Sequence, residues 1–165
     1  MTESRIESCW RNVGSELAAQ IGALWQAENA IGDSAEIARR SGEAVCVARS
    51  ASDDRLLGVA TAQPRQIPFL GQPMYYVRAF VAASARRGLL AHRLLHATQA
   101  TLAADAAGPA PASAAIGIFL ELENPVFTRD GERAVWRRSG FIYAGRTPNG
   151  LQRRIWYFPD ARLRG

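Results

Sequence analysis

The chain contains no lysine. All 20 cationic side chains are arginine, against 15 carboxylates, for a formal charge of +5. Such a surface favours anionic ligands, of which nucleic acid and polyphosphate-bearing molecules are the obvious classes. The arginines are spread along the chain, with no recognition helix and no aromatic-basic platform, so nucleic acid ranks last among partner classes. Cysteine is scarce as well. Cys9 and Cys46 lie far apart without a CxxC pair, which argues against a disulfide framework or structural zinc and makes them buried thiols. His92 and His96 stand at i and i+4 with no third ligand at a sensible spacing, so they read as surface residues and no metal is expected. No run approaches the ~18 uninterrupted apolar residues that span a membrane. The opening MTESRIESCW lacks a charged n-region and an apolar h-region, so a cytoplasmic location is expected.

At 165 residues a single domain over residues 1–165 is expected, with room for a substantial core. After a short strand at Arg5–Trp10, the 3.6-residue spacing of Leu17, Ile21, Leu24, Trp25 and Glu28 predicts a first helix. Asp33-Ser34-Ala35-Glu36 opens a second helix as a capping-box variant, with Gly42 at its C-cap. Ala44–Arg49 and Leu56–Ala62 suit a hairpin, and Gln63–Gln72, with Pro64, Pro68 and Gly71, suits a loop. Met74–Val81 alternates Tyr75, Val77, Ala79 and Val81 with Tyr76, Arg78 and Phe80, as a strand does. Over Gly88–Ala104 a stripe of Ala91, Leu94, Leu95, Thr98 and Leu102 predicts a helix on a sheet, and Asp105–Ser113 an exposed loop. Ile116, Ile118, Leu120 and Leu122 alternate with Gly117, Phe119, Glu121 and Glu123, which predicts a half-buried strand. Thr128–Ser139 suits a short helix stopped by Gly140. Phe141–Ala144 and Arg153–Phe158 then flank the turn Thr147-Pro148-Asn149-Gly150 as a closing hairpin. Trp156-Tyr157-Phe158 reads as core and edge packing, an edge on which a homodimer can pair, and Arg137, Arg138, Arg153 and Arg154 as a solvated basic face. The order β-α-α-β-β-β-α-β-α-β-β is that of a mixed α/β layer protein.

Within it, Phe80–Leu95, FVAASARRGLLAHRLL, runs from a strand through a basic turn into a helix. Such a turn gathers unpaired N–H groups, the positive helix end and guanidinium groups around one small volume, the outline of a phosphate site. The stretch resembles motif A of the GNAT acyltransferases. Val81 matches the strand end, Arg86 the Arg/Gln position, Ala91 the final Gly/Ala position, and Leu94-Leu95 the paired leucines of the following helix. Leu89 stands where the family has glycine, keeping the N–H donor but adding a side chain that must point away. Ala134–Phe141 looks like the end of the family's A-x-x-Y-x-x-x-G-F pattern, with Trp136 at its tyrosine, and Asn124 resembles the asparagine that follows the preceding strand.

The resemblance implies a mixed, mostly antiparallel sheet with flanking helices, and an N-acetyltransferase that moves acetyl from acetyl-CoA to an amine of a small molecule or protein. It places the acyl-CoA where the fourth and fifth strands splay. Pantetheine would run along Phe80 and Val81, and pyrophosphate would rest on the amides of Arg87, Gly88, Leu89, Leu90 and Ala91, with Arg86 and Asn124 among the cofactor contacts. Leu120-Glu121-Leu122 is similar to the Leu-Glu-Val strand of members that acetylate protein N-termini, which implies Glu121 as base. Trp136 has no hydroxyl, so the acid is Tyr143 on the next strand, or the thiolate leaves unassisted. Leu89 and Trp136 keep a second reading open: a non-catalytic member of the fold that binds acyl-CoA or a partner protein.

Overall fold

Small and β-branched apolar residues fill Ala44–Ala48 and Leu56–Ala62, and both runs are buried. Around them the computed structural model, which describes residues 3–123 and 132–165, sets out β1 (Ser4–Ser8), α1 (Ser15–Ala27), α2 (Ser34–Ser41), β2 (Ala44–Ser50), β3 (Leu56–Ile67), β4 (Gln72–Val81), a 3₁₀ turn (Ala83–Ala85), α3 (Leu90–Ala107), β5 (Gly117–Glu121), β6 (Ile142–Arg146) and β7 (Gln152–Tyr157). The strands form a mostly antiparallel sheet in the order β1-β2-β3-β4-β5-β7-β6, with β4 and β5 parallel at Tyr75↔Ile118 and Tyr76↔Phe119. The expected mixed α/β class holds. No described helix is long and apolar enough to cross a membrane.

Two compact units divide the chain, the first comprising the residues up to Ala62 together with Ala79–Leu102. In it β1 pairs antiparallel with β2, and β2 with β3 from Arg49↔Leu56 to Ala44↔Thr61. Ile21 and Trp25 of α1 and Ile37 of α2 pack with Val47 and Val59 on one face. The Asp33 carboxylate accepts from the Ala35 N–H at 3.0 Å and starts α2, as its sequence predicts. Neighbouring strand residues point to opposite faces, so Cys46 turns towards α3, its Sγ 3.6 Å from Thr101 Oγ1. Both cysteines are buried free thiols. Burial above all, then Cys46, pushes Cys9 up to about 11, so it stays protonated and unreactive near neutrality. Gly58 lets this layer close: an added Cβ would stand 2.8 Å from the Phe80 carbonyl and 3.5 Å from Leu94.

The second unit comprises Gln63–Arg78 and Ala103–Gly165. Most of the expected loop Gln63–Gln72 is strand here, because β3 continues through Pro64 to Ile67. The Ala62 N–H donates to the Glu43 carbonyl, and the residue two further on faces the same way past the last β2 pair, so the N–H that Pro64 lacks costs no ladder bond. Only Pro68–Gly71 turns the chain, with Gly71 at φ +65°. β5, expected to be half-buried, is buried from Gly117 to Leu120 because it lies between β4 and β7. The β6–β7 turn is closed by Gly150 N–H to Thr147 O and Leu151 N–H to Thr147 Oγ1, both 2.9 Å. β7 lies between β5 and β6, and its β6 partners run from Gln152 to Ile155, so Trp156 and Tyr157 stand past the last β6 pair.

The expected helix Thr128–Ser139 is corrected over its described part, Glu132–Ser139. Val135 bridges Ile142, the Trp136 N–H donates to Phe141 O at 2.8 Å, and Gly140 takes φ +77° in the turn between them. A β-branched and an aromatic residue beside a left-handed glycine favour that tight reversal over a helical turn. Trp136 is buried against Phe141, at the family's tyrosine position but as core. Arg154, expected on a solvated face, is 1% exposed. Its guanidinium donates to the carbonyls of Arg133 (2.7 Å) and Ala134 (3.1 Å) and to Gln152 Oε1 (3.0 and 2.8 Å), and lies 4.8 Å over the Trp136 ring. Burial draws its pKa down from the ordinary arginine value. Arg154→Met keeps the bulk and strands these acceptors; urea denaturation is expected to show a loss of about 2–4 kcal/mol. A loss within experimental error would make Arg154 a passive filler.

Candidate functional site

In the first unit, β4 ends at Val81 and the chain passes through the 3₁₀ turn, Arg86, Arg87, Gly88 and Leu89 before α3 begins at Leu90. The first amides of a helix have no partner in the preceding turn. Here the Arg93 N–H closes on Leu89 O at 2.9 Å, and the N–H groups from Arg87 to Ala91 have no acceptor among the described residues. Leu89 is 58% exposed, so its side chain leaves the row of donors uncovered. A Cβ placed on Gly88 would meet nothing within 4 Å. Fold packing therefore does not require that glycine, and its open backbone is available to a ligand.

The two arginines of the turn differ. Arg86 Nε donates to Val81 O at 2.9 Å, its guanidinium lies 5.6 Å over Phe80, and Nη2 is 3.8 Å from Glu28 Oε2. It braces the turn on the strand end. Arg87, exposed like Arg86, has no ion-pair partner among the described residues. Glu28, at the C-cap of α1, also accepts from the Ala83 N–H at 3.1 Å. Its part in the loop escapes sequence reading, because nothing local marks a contact 55 residues away. Beside the turn is a cleft of about 310 Å³ whose lining includes Ser4, Leu57, Ser84, Arg87, Gly88 and Arg93. Arg93 is fixed there by two 2.9 Å bonds to Ser4, one to Oγ and one to the carbonyl.

The expected catalytic residues belong to the second unit. Glu121 ends β5, half-buried, with Arg153 of β7 as its cross-strand partner. Tyr143 of β6 is 46% exposed, its ring 5.7 Å from the Arg154 guanidinium. Glu123 is exposed, and Asn124 lies outside the described residues. Among the described residues no three metal-ligating side chains gather.

No family model matches this chain, and no curated protein matches it by sequence. Solved structures do match. The ribosomal-protein-S5-alanine acetyltransferase of Vibrio fischeri aligns over 98% of this chain and 97% of its own, at 11% identity and a TM-score of 0.63. An aminoglycoside 6'-acetyltransferase type Ii aligns over 96% and 99%, at 19% identity and a TM-score of 0.60. A GNAT family acetyltransferase of Brucella melitensis, crystallised with acetyl-CoA, aligns over 100% and 94%, at 15% identity and a TM-score of 0.55. Strand order, the parallel β4–β5 pair and these likenesses agree that the chain has the GNAT acetyltransferase fold.

Proposed function

We propose that the protein is an N-acetyltransferase that carries acetyl from acetyl-CoA to an amine of a small molecule or a protein. The observation that carries this reading is the row of N–H groups from Arg87 to Ala91, without acceptors among the described residues, at the positive end of α3 beside Arg87 and the bare Gly88. A pyrophosphate supplies the acceptor oxygens and negative charge that such a row lacks. Pantetheine is assigned to the backbone of Phe80 and Val81, whose place Gly58 and Arg86 hold.

In the reaction the amine nitrogen attacks the thioester carbon, the C–S bond breaks, and CoA leaves as thiolate while the amine sheds a proton. Glu121 is assigned that proton as general base. The thiolate needs no acid, since a free thiol has a pKa near ~8.5 and leaves unassisted. Tyr143 pairs with Arg154, whose neighbour Arg153 pairs with Glu121, so alternation puts the Tyr143 hydroxyl on the other face of the sheet from the base.

A thermal-shift titration with CoA and acetyl-CoA tests the cofactor step. Ligand at about 100 times its Kd stabilises by about 2.7 kcal/mol, which a melting curve resolves. Gly88→Ala is expected to fold like the parent and to bind CoA about tenfold more weakly, because its methyl group intrudes on the phosphate and not on the protein. Absence of any shift in the parent would sink the reading. Stabilisation with no thiol release on any amine of a broad panel would instead leave the non-catalytic acyl-CoA-binding module standing.

A further inference from the structure

We infer that one face of the second unit selects an acceptor bearing an anionic group, carboxylate or phosphate, close to its amine. The inference rests on the acetyltransferase reading and names the acceptor class it leaves open. Arg65 Cζ lies 4.1 Å and Arg78 Cζ 4.8 Å from the centroid of the Tyr76 ring. That ring stands 5.8 Å from Phe119, Phe119 stands 5.9 Å from Phe69, and Arg153 Cζ lies 5.1 Å over Phe69. Strand alternation puts Glu121 on the same side of β5 as Phe119, and Arg153 is its cross-strand partner. Guanidinium groups and one carboxylate therefore share a face.

Stacking on a ring uses the flat face of a guanidinium and leaves its in-plane N–H fork for other partners. Arg65 spends Nε on Gln63 Oε1 at 2.7 Å, and Arg153 spends Nη1 on the Arg146 carbonyl at 3.1 Å. Neither has a carboxylate partner among the described residues, and Glu121 has no cationic one, although Arg153 stands across from it. These forks are held by their rings, so less side-chain freedom is lost when an anion docks. The ammonium of a zwitterionic acceptor suits Glu121, and its anionic group suits the arginines. A nucleic-acid strand suits the face less well: Tyr76 and Phe119 are each 5% exposed, which leaves Phe69, at 51%, as the ring of this cluster open for base stacking.

Two pairs of amines test this, β-alanine against β-alaninamide for carboxylate, and O-phosphoethanolamine against ethanolamine for phosphate. Thiol release from acetyl-CoA gives kcat/KM for each, and calorimetry on the CoA-saturated protein gives binding without turnover. The charged member of at least one pair is expected to win by about tenfold or more, the worth of one charge-assisted hydrogen bond. In Arg65→Gln/Arg153→Gln the preference should fall to near unity while acetyl-CoA still raises the melting temperature; Arg65→Gln alone, at an exposed position, serves if the double variant folds poorly. No preference by either method, with acetyl-CoA binding intact, overturns the anionic subsite alone. Anion binding that the variant loses, in a protein that acetyl-CoA does not stabilise, supports the subsite and removes the acetyltransferase reading. Tight oligonucleotide binding lost in the variant, without an amine preference, overturns the small-acceptor inference.

Discussion

Glu121→Gln is expected to lower kcat by about 10²–10³ with KM for acetyl-CoA unchanged, the range over which general bases act. Glutamine matches glutamate in size and still accepts a hydrogen bond, but it cannot take the proton that the attacking amine must lose. Glu121 is half-buried and has no ion-pair partner among the described residues, so the change breaks no salt bridge and the melting temperature should move by no more than about 2 °C. Steady-state thiol release, read with a melting curve of the same sample, separates the cases. An unchanged kcat would remove Glu121 from the chemistry. A higher KM for the amine at constant kcat would make it a binding group.

Gly117→Ala should cost about 3–5 kcal/mol, in the range reserved for strain and overpacking in a core. An added Cβ there collides with the Trp156 carbonyl and lies 2.9 Å from both Met74 Cε and Tyr157 Cα. Met74 could swing aside. The backbone of β7 could not, because Gly117 faces Tyr157 in the ladder and Ile118, next in line, is paired on both sides, with Tyr75 and with Trp156. For a domain whose total stability is about 5–15 kcal/mol, such a loss is a large share. Urea denaturation should show a lower midpoint with an unchanged slope, whereas a shift worth less than about 1 kcal/mol would mean that the strand relaxes. The contrast with Gly88, where a methyl group meets nothing, separates a glycine kept for packing from one kept for access.

The layer order was legible because period-2 and period-3.6 patterns, the Asp33 cap and the Thr147–Gly150 turn are local signals, and each stands where the sequence puts it. Pro64 misled because its penalty depends on whether a strand lies opposite, a fact of topology. Trp136-Arg137-Arg138-Ser139-Gly140 misled because a short polar run before a glycine suits a helix end as well as a tight turn. Arg154 was invisible for a related reason. Nothing marks an arginine as buried when the carbonyls that receive it, at Arg133 and Ala134, are some 20 residues away. The turn after β4 was readable, since strand, basic pair and helix are contiguous, but which arginine is bound and which is available depends on Glu28 from α1.

That glutamate has an electrostatic consequence. Glu28 acts as a resident counter-ion for Arg86, so the two charges largely cancel within the loop and the field reaching solvent comes from Arg87 and, across the cleft, Arg93. A polyphosphate docking there would meet two uncompensated unit charges and a set of neutral dipoles. Its hold should therefore weaken only gently as ionic strength rises, a dependence that, under the proposed function, would ease release of the spent carrier.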